Sequence, residues 1–275
     1  MVPSTFRYVA LAALCAIGAL CAHTAQQGLA SAKAAPAQAA TPSADDSARA
    51  DTGPRAVARP RVVAAKAEQP APKPRGYTVA RIRAGRSVAL RAKPGGSPVG
   101  SVTARTEFGS KRVLAVAAVR GRWLGVSVPE RPNGKLGWID GRSGAIDRSR
   151  TKVSLRADLS SRTLELRVGR RVVKRMKVAV GRPGSSTPTG RFAVTDKLSG
   201  GRYGPYYGCC ILALSGHQPN TPAGWKGGDR LGIHGTNAPG SIGAAASAGC
   251  LRGADSDLRT LIRRVPVGTP VFIRR

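Results

Sequence analysis

Val153-Ser154-Leu155-Arg156-Ala157-Asp158-Leu159-Ser160-Ser161-Arg162-Thr163-Leu164-Glu165-Leu166-Arg167-Val168 reads as two strands and the turn between them. Val153, Leu155 and Ala157 alternate with polar residues, and so do Leu164, Leu166 and Val168. A period of two sends successive side chains to opposite faces of a sheet. Asp158 to Ser161 supply turn residues, so the two runs pair antiparallel. Gly169-Arg170-Arg171 turns the chain again into a strand expected near Met176 to Val180, and the unit opens as a β-meander. Further on, one helix is predicted, capped by Asp255 or Ser256, with Leu258, Leu261 and Ile262 on a shared face. The segment is therefore expected to be β-rich with little helix.

Upstream, residues 77–147 form another unit of short runs broken by Gly and Pro. Val88-Ala89-Leu90-Arg91, Val113-Leu114-Ala115-Val116, Trp123-Leu124-Gly125-Val126 and Gly137-Trp138-Ile139 read as strands, spaced closely enough for a small barrel. Trp123 and Trp138 are expected as core aromatics. Residues 26–76 are rich in Ala, Pro and scattered charge without an apolar period, as in an extended tether.

At the very start, Arg7 precedes an apolar run from Val9 to Ala22 followed by small residues, the layout of a secretory signal peptide over residues 1–25. The run is shorter than the roughly 20 residues of a membrane-spanning helix, which favours cleavage over anchoring. Cys15 and Cys21 each follow a Leu, a poor match to lipoprotein processing. The chain is therefore expected outside the cytoplasmic membrane, in the periplasm or cell wall. With 45 Lys and Arg against 14 Asp and Glu in 275 residues, the formal net charge is +31, and such a surface seeks polyanions. Export shifts the expected polyanion from nucleic acid to anionic wall polymers or lipids.

Three cysteines remain after leader removal: Cys209, Cys210 and Cys250. An odd number leaves one thiol unpaired in a monomer. Cys209 and Cys210 read as small buried residues, with a vicinal disulfide as the alternative. No Cys-x-x-Cys or His-x-x-x-His spacing is present to hold a metal, and no cofactor is expected.

Cys250 lies 16 residues after His234, in a Gly-rich segment from Ile233 to Arg252. A nearby imidazole takes a thiol's proton or, as imidazolium, stabilises the thiolate. Of the other histidines, His23 falls in the leader and His217 in a Gly- and Pro-rich stretch, while His234 follows the apolar run Leu231-Gly232-Ile233, a rigid strand end. His234 and Cys250 are thus the candidate base and nucleophile.

The Ser247-Ala248-Gly249-Cys250-Leu251-Arg252 block, with His234 upstream, resembles the signature of the L,D-transpeptidases, the cysteine enzymes that cross-link bacterial peptidoglycan. Val180-Gly181 followed by Ser186-Thr187-Pro188-Thr189-Gly190-Arg191-Phe192 resembles a second motif of that family, and Val265-Pro266-Val267-Gly268-Thr269-Pro270-Val271 its closing strand. The resemblance covers roughly residues 150 to 274, so a catalytic domain is expected over 150–275. One departure is visible: Ala248 stands where the family usually has a second His. The pair Arg122-Trp123-Leu124-Gly125-Val126 and Gly134-Lys135-Leu136-Gly137-Trp138-Ile139 similarly resembles the end of a bacterial SH3-like domain. The fold implied is a small SH3-like β-barrel followed by a β-rich catalytic domain.

The resemblance implies a transferase. Cys250 attacks the carbonyl between the third and fourth residues of a peptidoglycan stem, D-alanine leaves, and a second stem's amine takes the acyl group to form a 3-3 cross-link. It implies His234 as base and then acid, its second ring nitrogen fixed by the Gly235 carbonyl, and the Gly249 and Cys250 N–H groups facing the developing oxyanion. Gly249 also suits a close backbone approach. Arg252, Ser247, Thr236, Asn237 and Tyr206 fall in or near matching stretches and are candidates for shaping or lining the substrate site. Two alternatives are a hydrolase that uses the same thiol to trim stems, and a non-catalytic wall-binding protein.

Overall fold

A computed structural model describes residues 76–225 and 227–275; the expected leader, and the expected tether up to residue 75, lie outside them. The short apolar runs of the first unit become β1 (Tyr77–Ile82), β2 (Ser87–Arg91), β3 (Pro98–Thr103), β4 (Val113–Arg120), β5 (Trp123–Ser127), β6 (Gly137–Asp140) and β7 (Ile146–Thr151). They pair antiparallel in the order β3-β2-β6-β5-β4-β1-β7. Ile82, Leu90, Leu124, Val126 and Ile139 form its core, each at most 2% exposed. Trp138 is buried as expected, but Trp123 is not in the core. The Arg91 and Arg122 guanidinium groups each lie over its ring, 5.3 Å from the ring centre, where contact with a cation replaces burial. The unit also outruns its expected end at 147: β7 continues to Thr151, which pairs with Tyr77.

The alternating stretch folds into the expected hairpin of β8 (Val153–Asp158) and β9 (Thr163–Val168), in register from Val153 opposite Val168 to Asp158 opposite Thr163. The third strand begins earlier than the sequence suggests: β10 spans Arg171–Lys177, and Val180 opens a separate two-residue strand, β11 (Val180–Gly181). A shift of register between Val172 and Lys174 explains the difference, because it breaks the alternation that marks a strand in sequence. Then follow β12 (Gly190–Ser199), β13 (Cys210–His217), β14 (Arg230–His234), β15 (Ala245–Ser247), β16 (Leu251–Arg252), α1 (Asp255–Arg264) and β17 (Pro270–Arg274). Eight of these strands form one mixed sheet, β10-β9-β8-β17-β12-β13-β14-β16, and β11 pairs with β15.

Leu155, Leu164, Leu212, Leu214, Ile233, Leu251 and Leu258 lose nearly all solvent contact in the core between this sheet and α1. Truncating one such leucine to alanine costs about 2–5 kcal/mol. The helix forms where expected and buries Leu258 and Leu261, but Ala254 is its N-cap. Asp255 is the first helical residue instead, and its carboxylate accepts the Thr236 N–H at 3.2 Å, binding the helix start to the loop after β14.

Candidate active site

Strand β14 sets His234 against the core. It pairs with Ile211 across the ladder and is fully buried. Its Nδ1 lies 2.6 Å from the Gly235 carbonyl, which only accepts, so Nδ1 carries the proton and Nε2 is left as the acceptor. Nε2 is buried and has no hydrogen-bond partner. The Tyr206 and Tyr207 rings pack against the imidazole, with centroids 5.5 and 4.9 Å away. Burial lowers the His234 pKa from 6.5 to about 4, partly opposed by the Gly235 bond. At neutral pH the ring is an uncharged base.

Cys250 is the last residue before β16, which runs parallel to β14 with Ile233 opposite Leu251 and His234 opposite Arg252. The candidate nucleophile and the candidate base are thus placed by neighbouring strands. The thiol faces the Arg230 carbonyl at 4.0 Å rather than the imidazole. Burial pushes it up to about 11, against smaller opposing effects of a Gly232 hydrogen bond and the Arg252 charge. Both shifts favour a resting thiol–imidazole pair over thiolate–imidazolium.

Three side chains hold the turn that carries Cys250. Ser247 Oγ accepts the Gly249 N–H at 3.0 Å and donates to the Cys250 carbonyl at 2.6 Å. Thr187 Oγ1 donates to the Gly249 carbonyl at 2.7 Å and accepts the Gly181 N–H at 2.8 Å. The side chain of Gln218 is buried, and its Nε2 lies 3.1 Å from the carbonyls of Ser185, Ser186 and Ala248. Gly249 has φ +117°, and a Cβ there would come within 1.9 Å of that nitrogen, so glycine is required on both counts. One expectation changes here. The Gly249 N–H is committed to Ser247, so of the two expected oxyanion donors only the Cys250 N–H is not engaged by that hydroxyl.

The remaining candidates divide. Arg252 is buried, donates to the Ala246 carbonyl at 2.6 Å, and lies over the Tyr206 ring at 5.4 Å. Tyr206 lines a cavity of about 30 Å³ beside Cys250, together with Tyr207, Gln218, Trp225, Arg230 and Ala248. Thr236 and Asn237 do not line it. Thr236 is buried as a loop anchor, its hydroxyl accepting the Ala238 N–H at 3.0 Å, and Asn237 points to solvent. Cys209 and Cys210 are paired in a vicinal disulfide at the start of β13, not two free buried thiols. Among the described residues no three His, Cys, Asp or Glu side chains gather around a possible metal position.

Sequence reasoning missed Tyr207, Gln218 and Trp225, because a glutamine and two aromatics in a Gly- and Pro-rich stretch carry no local pattern. It also set His217 aside for want of a nearby element. His217 ends β13 and clasps the first unit instead. Asn133 accepts its N–H at 2.9 Å and donates to its carbonyl at 2.6 Å. Its ring contacts the Pro129 carbonyl at 2.7 Å and Asp229 at 3.0 Å. Arg230 pairs with Glu107 of the same unit, and Thr106 bonds Asp196. The first unit thereby braces both ends of the segment between β13 and β14, one wall of the Cys250 cavity.

Residues 152–273 match the family model of the L,D-transpeptidase catalytic domain. Among curated relatives, "Putative L,D-transpeptidase YkuD" of Bacillus subtilis (strain 168) is 38% identical over 119 residues, 42% of this chain and 63% of that protein. "Putative L,D-transpeptidase YqjB" of the same organism is 37% identical over 105 residues, 35% of this chain and 56% of that protein. The chain thus spans less than two thirds of the length of these relatives. An L,D-transpeptidase from Mycobacterium smegmatis is similar in structure at TM-score 0.38 and 20% identity, covering 59% of this chain and 82% of that one. The family match therefore places the similarity to L,D-transpeptidase catalytic domains in residues 152–273, the part of the chain that carries His234 and Cys250.

Proposed function

We propose that this protein is a peptidoglycan L,D-transpeptidase that forms 3-3 cross-links by cysteine acyl transfer, with Cys250 as nucleophile and His234 as base. The observation that carries the reading is the buried His234 imidazole. Gly235 fixes its tautomer, and its unpartnered Nε2 is one strand away from the only thiol of the three described cysteines that is not in a disulfide. An uncharged base beside an un-ionised thiol suits proton transfer concerted with attack.

The sequence of events follows from these groups. Rotation of the Cys250 side chain from the Arg230 carbonyl toward Nε2 lets the imidazole take the thiol proton as sulfur attacks the stem carbonyl. The Cys250 N–H stabilises the oxyanion, where losing one donor costs about 100- to 1000-fold in rate. The imidazolium then protonates the departing D-alanine amine, leaving a thioester, and the amine of a second stem takes the acyl group. A 30 Å³ cavity admits about one water. Tyr206, whose ring lies 6.3 Å from that of Trp225, and Arg252 beneath it shape the donor side. Arg7 followed by the apolar run from Val9 to Ala22 supports export, and with it access to the wall.

Intact-mass analysis tests this. The protein and its Cys250→Ala form are incubated with tetrapeptide-stem muropeptides and, separately, with a carbapenem. A wild-type adduct absent from the variant, with a dimeric muropeptide and free D-alanine, is the expected result. An adduct with only trimmed monomer replaces the transferase by a hydrolase, and no adduct with either compound sinks the catalytic reading.

A further inference from the structure

A second cleft shares no lining residue with the Cys250 cavity. It has a volume of about 700 Å³, and one wall is the turn between β1 and β2 while the other is the loop between β3 and β4. Its charged lining is Arg81, Arg83, Arg86, Arg105 and Lys111, against one carboxylate, Asp147. That is five cations to one anion, an excess of four. The cleft lined by Arg156, Arg167, Arg175 and Arg274 also contains Asp158 and Glu165, and there the excess is two. The cleft around Arg81 is thus the more one-sidedly cationic of the two.

Its cations stand on a preformed frame. The turn closes through the Arg86 N–H on the Arg83 carbonyl at 3.0 Å, and Arg105 bridges to Lys111 across the opposite wall. Asp147 accepts from Arg81 Nη2 at 2.9 Å and from Arg83 Nε at 2.8 Å. Each guanidinium gives the carboxylate one of its five N–H groups, and each arginine side chain remains 55% exposed. Arg86 and Lys111 are exposed. Crowding like charges is unfavourable unless an anion offsets it, and guanidinium forks match the paired oxygens of a phosphate.

We infer that this cleft binds a linear phosphodiester polymer that lacks nucleobases. A concave site holding several spaced cations suits a flexible chain of phosphates better than a flat bilayer. No aromatic side chain lines the cleft, so the stacking platform that single-stranded nucleic acids use is missing. The wall continues from Arg105 through Thr106 and Glu107 to Lys111, and those two residues hold Asp196 and Arg230 of the second unit. An occupied cleft would dock the second unit beside the polymer.

The test is binding by the full chain, and it is read independently of whether Cys250 acylates anything. Affinity is measured for poly(glycerol phosphate), for single-stranded DNA and polyglutamate of matched charge, and for phosphatidylglycerol vesicles. Arg86→Glu with Lys111→Glu is compared with Arg170→Glu and Arg171→Glu, the same change of charge at the exposed turn into β10. The expected result is tightest binding to poly(glycerol phosphate), weakened about tenfold or more, with a shallower salt dependence, by the cleft pair alone. Equal weakening by both pairs reduces the effect to net charge and overturns the assignment. So does tighter binding to DNA, polyglutamate or vesicles than to the phosphate polymer.

Discussion

Thr187 Oγ1 donates a hydrogen bond of 2.7 Å to the carbonyl oxygen of Gly249, the residue before the candidate nucleophile, while accepting the Gly181 N–H at 2.8 Å. One hydroxyl thus joins β11, the Thr-Pro-Thr-Gly segment and the turn that carries Cys250. Thr187→Val keeps the shape and removes both bonds. Leaving a buried carbonyl and N–H unpaired costs about 1–3 kcal/mol of stability. The displaced turn should slow acylation of Cys250 by a carbapenem by about tenfold or more, since 1.4 kcal/mol of misalignment is already tenfold. Thr187→Ser should restore most of the rate. Equal acylation rates in the Val and wild-type proteins would remove Thr187 from the site.

Gln218 and Gly249 are expected to be coupled. Gln218→Glu keeps the size but turns an N–H donor toward three carbonyls into an acceptor, and should slow acylation more than Gln218→Ala does. Gly249→Ala should be the most damaging, because its Cβ meets Gln218 Nε2 at 1.9 Å and its φ is +117°. Adding Gln218→Ala to Gly249→Ala relieves the clash but not the backbone strain, so the double variant should recover only part of the loss. Strict additivity in that cycle would show that the two residues do not interact.

The β-rich architecture was legible because hydrophobic alternation is local. Val153 to Val168 carries its hairpin in its own pattern, and Leu258 and Leu261 carry the helix. His234 and Cys250 could be singled out because a lone imidazole after an apolar run and an unpaired thiol are conspicuous even without coordinates. The supports were not legible. Gln218 reaches Ser185, Ser186 and Ala248 across 30 or more positions, and Asn133 reaches His217 across 84. Such contacts depend on how two sheets stack. The disulfide between Cys209 and Cys210 escaped for another reason: adjacent cysteines in an apolar run have the composition of a buried strand whether or not they are joined.

That disulfide makes the three described cysteines chemically distinct. Iodoacetamide applied to the denatured, unreduced protein, followed by peptide mapping, should label Cys250 and leave the Cys209–Cys210 peptide unmodified. After reduction with a dithiol, the same peptide should take up two carbamidomethyl groups. Labelling of either residue before reduction would mean that the pair is reduced in the folded protein.

The depressed pKa of His234 gives two separable pH effects. Because its folded value is about 4 and its ordinary value 6.5, the unfolded chain binds the proton first as pH falls. The stability that this burial confers is complete above about pH 6.5 and is lost progressively from 6.5 down to 4. His234→Asn should flatten that part of a melting-temperature profile. In catalysis, kcat/KM reports the free enzyme, so its acid limb should fall near pH 4 to 5, with no inflection near 6.5. The Cys250 thiol, raised to about 11, should add no alkaline break below about pH 9. An acid limb centred on pH 6.5 would mean that His234 is charged in the resting site, and the mechanism would then start from a thiolate–imidazolium pair.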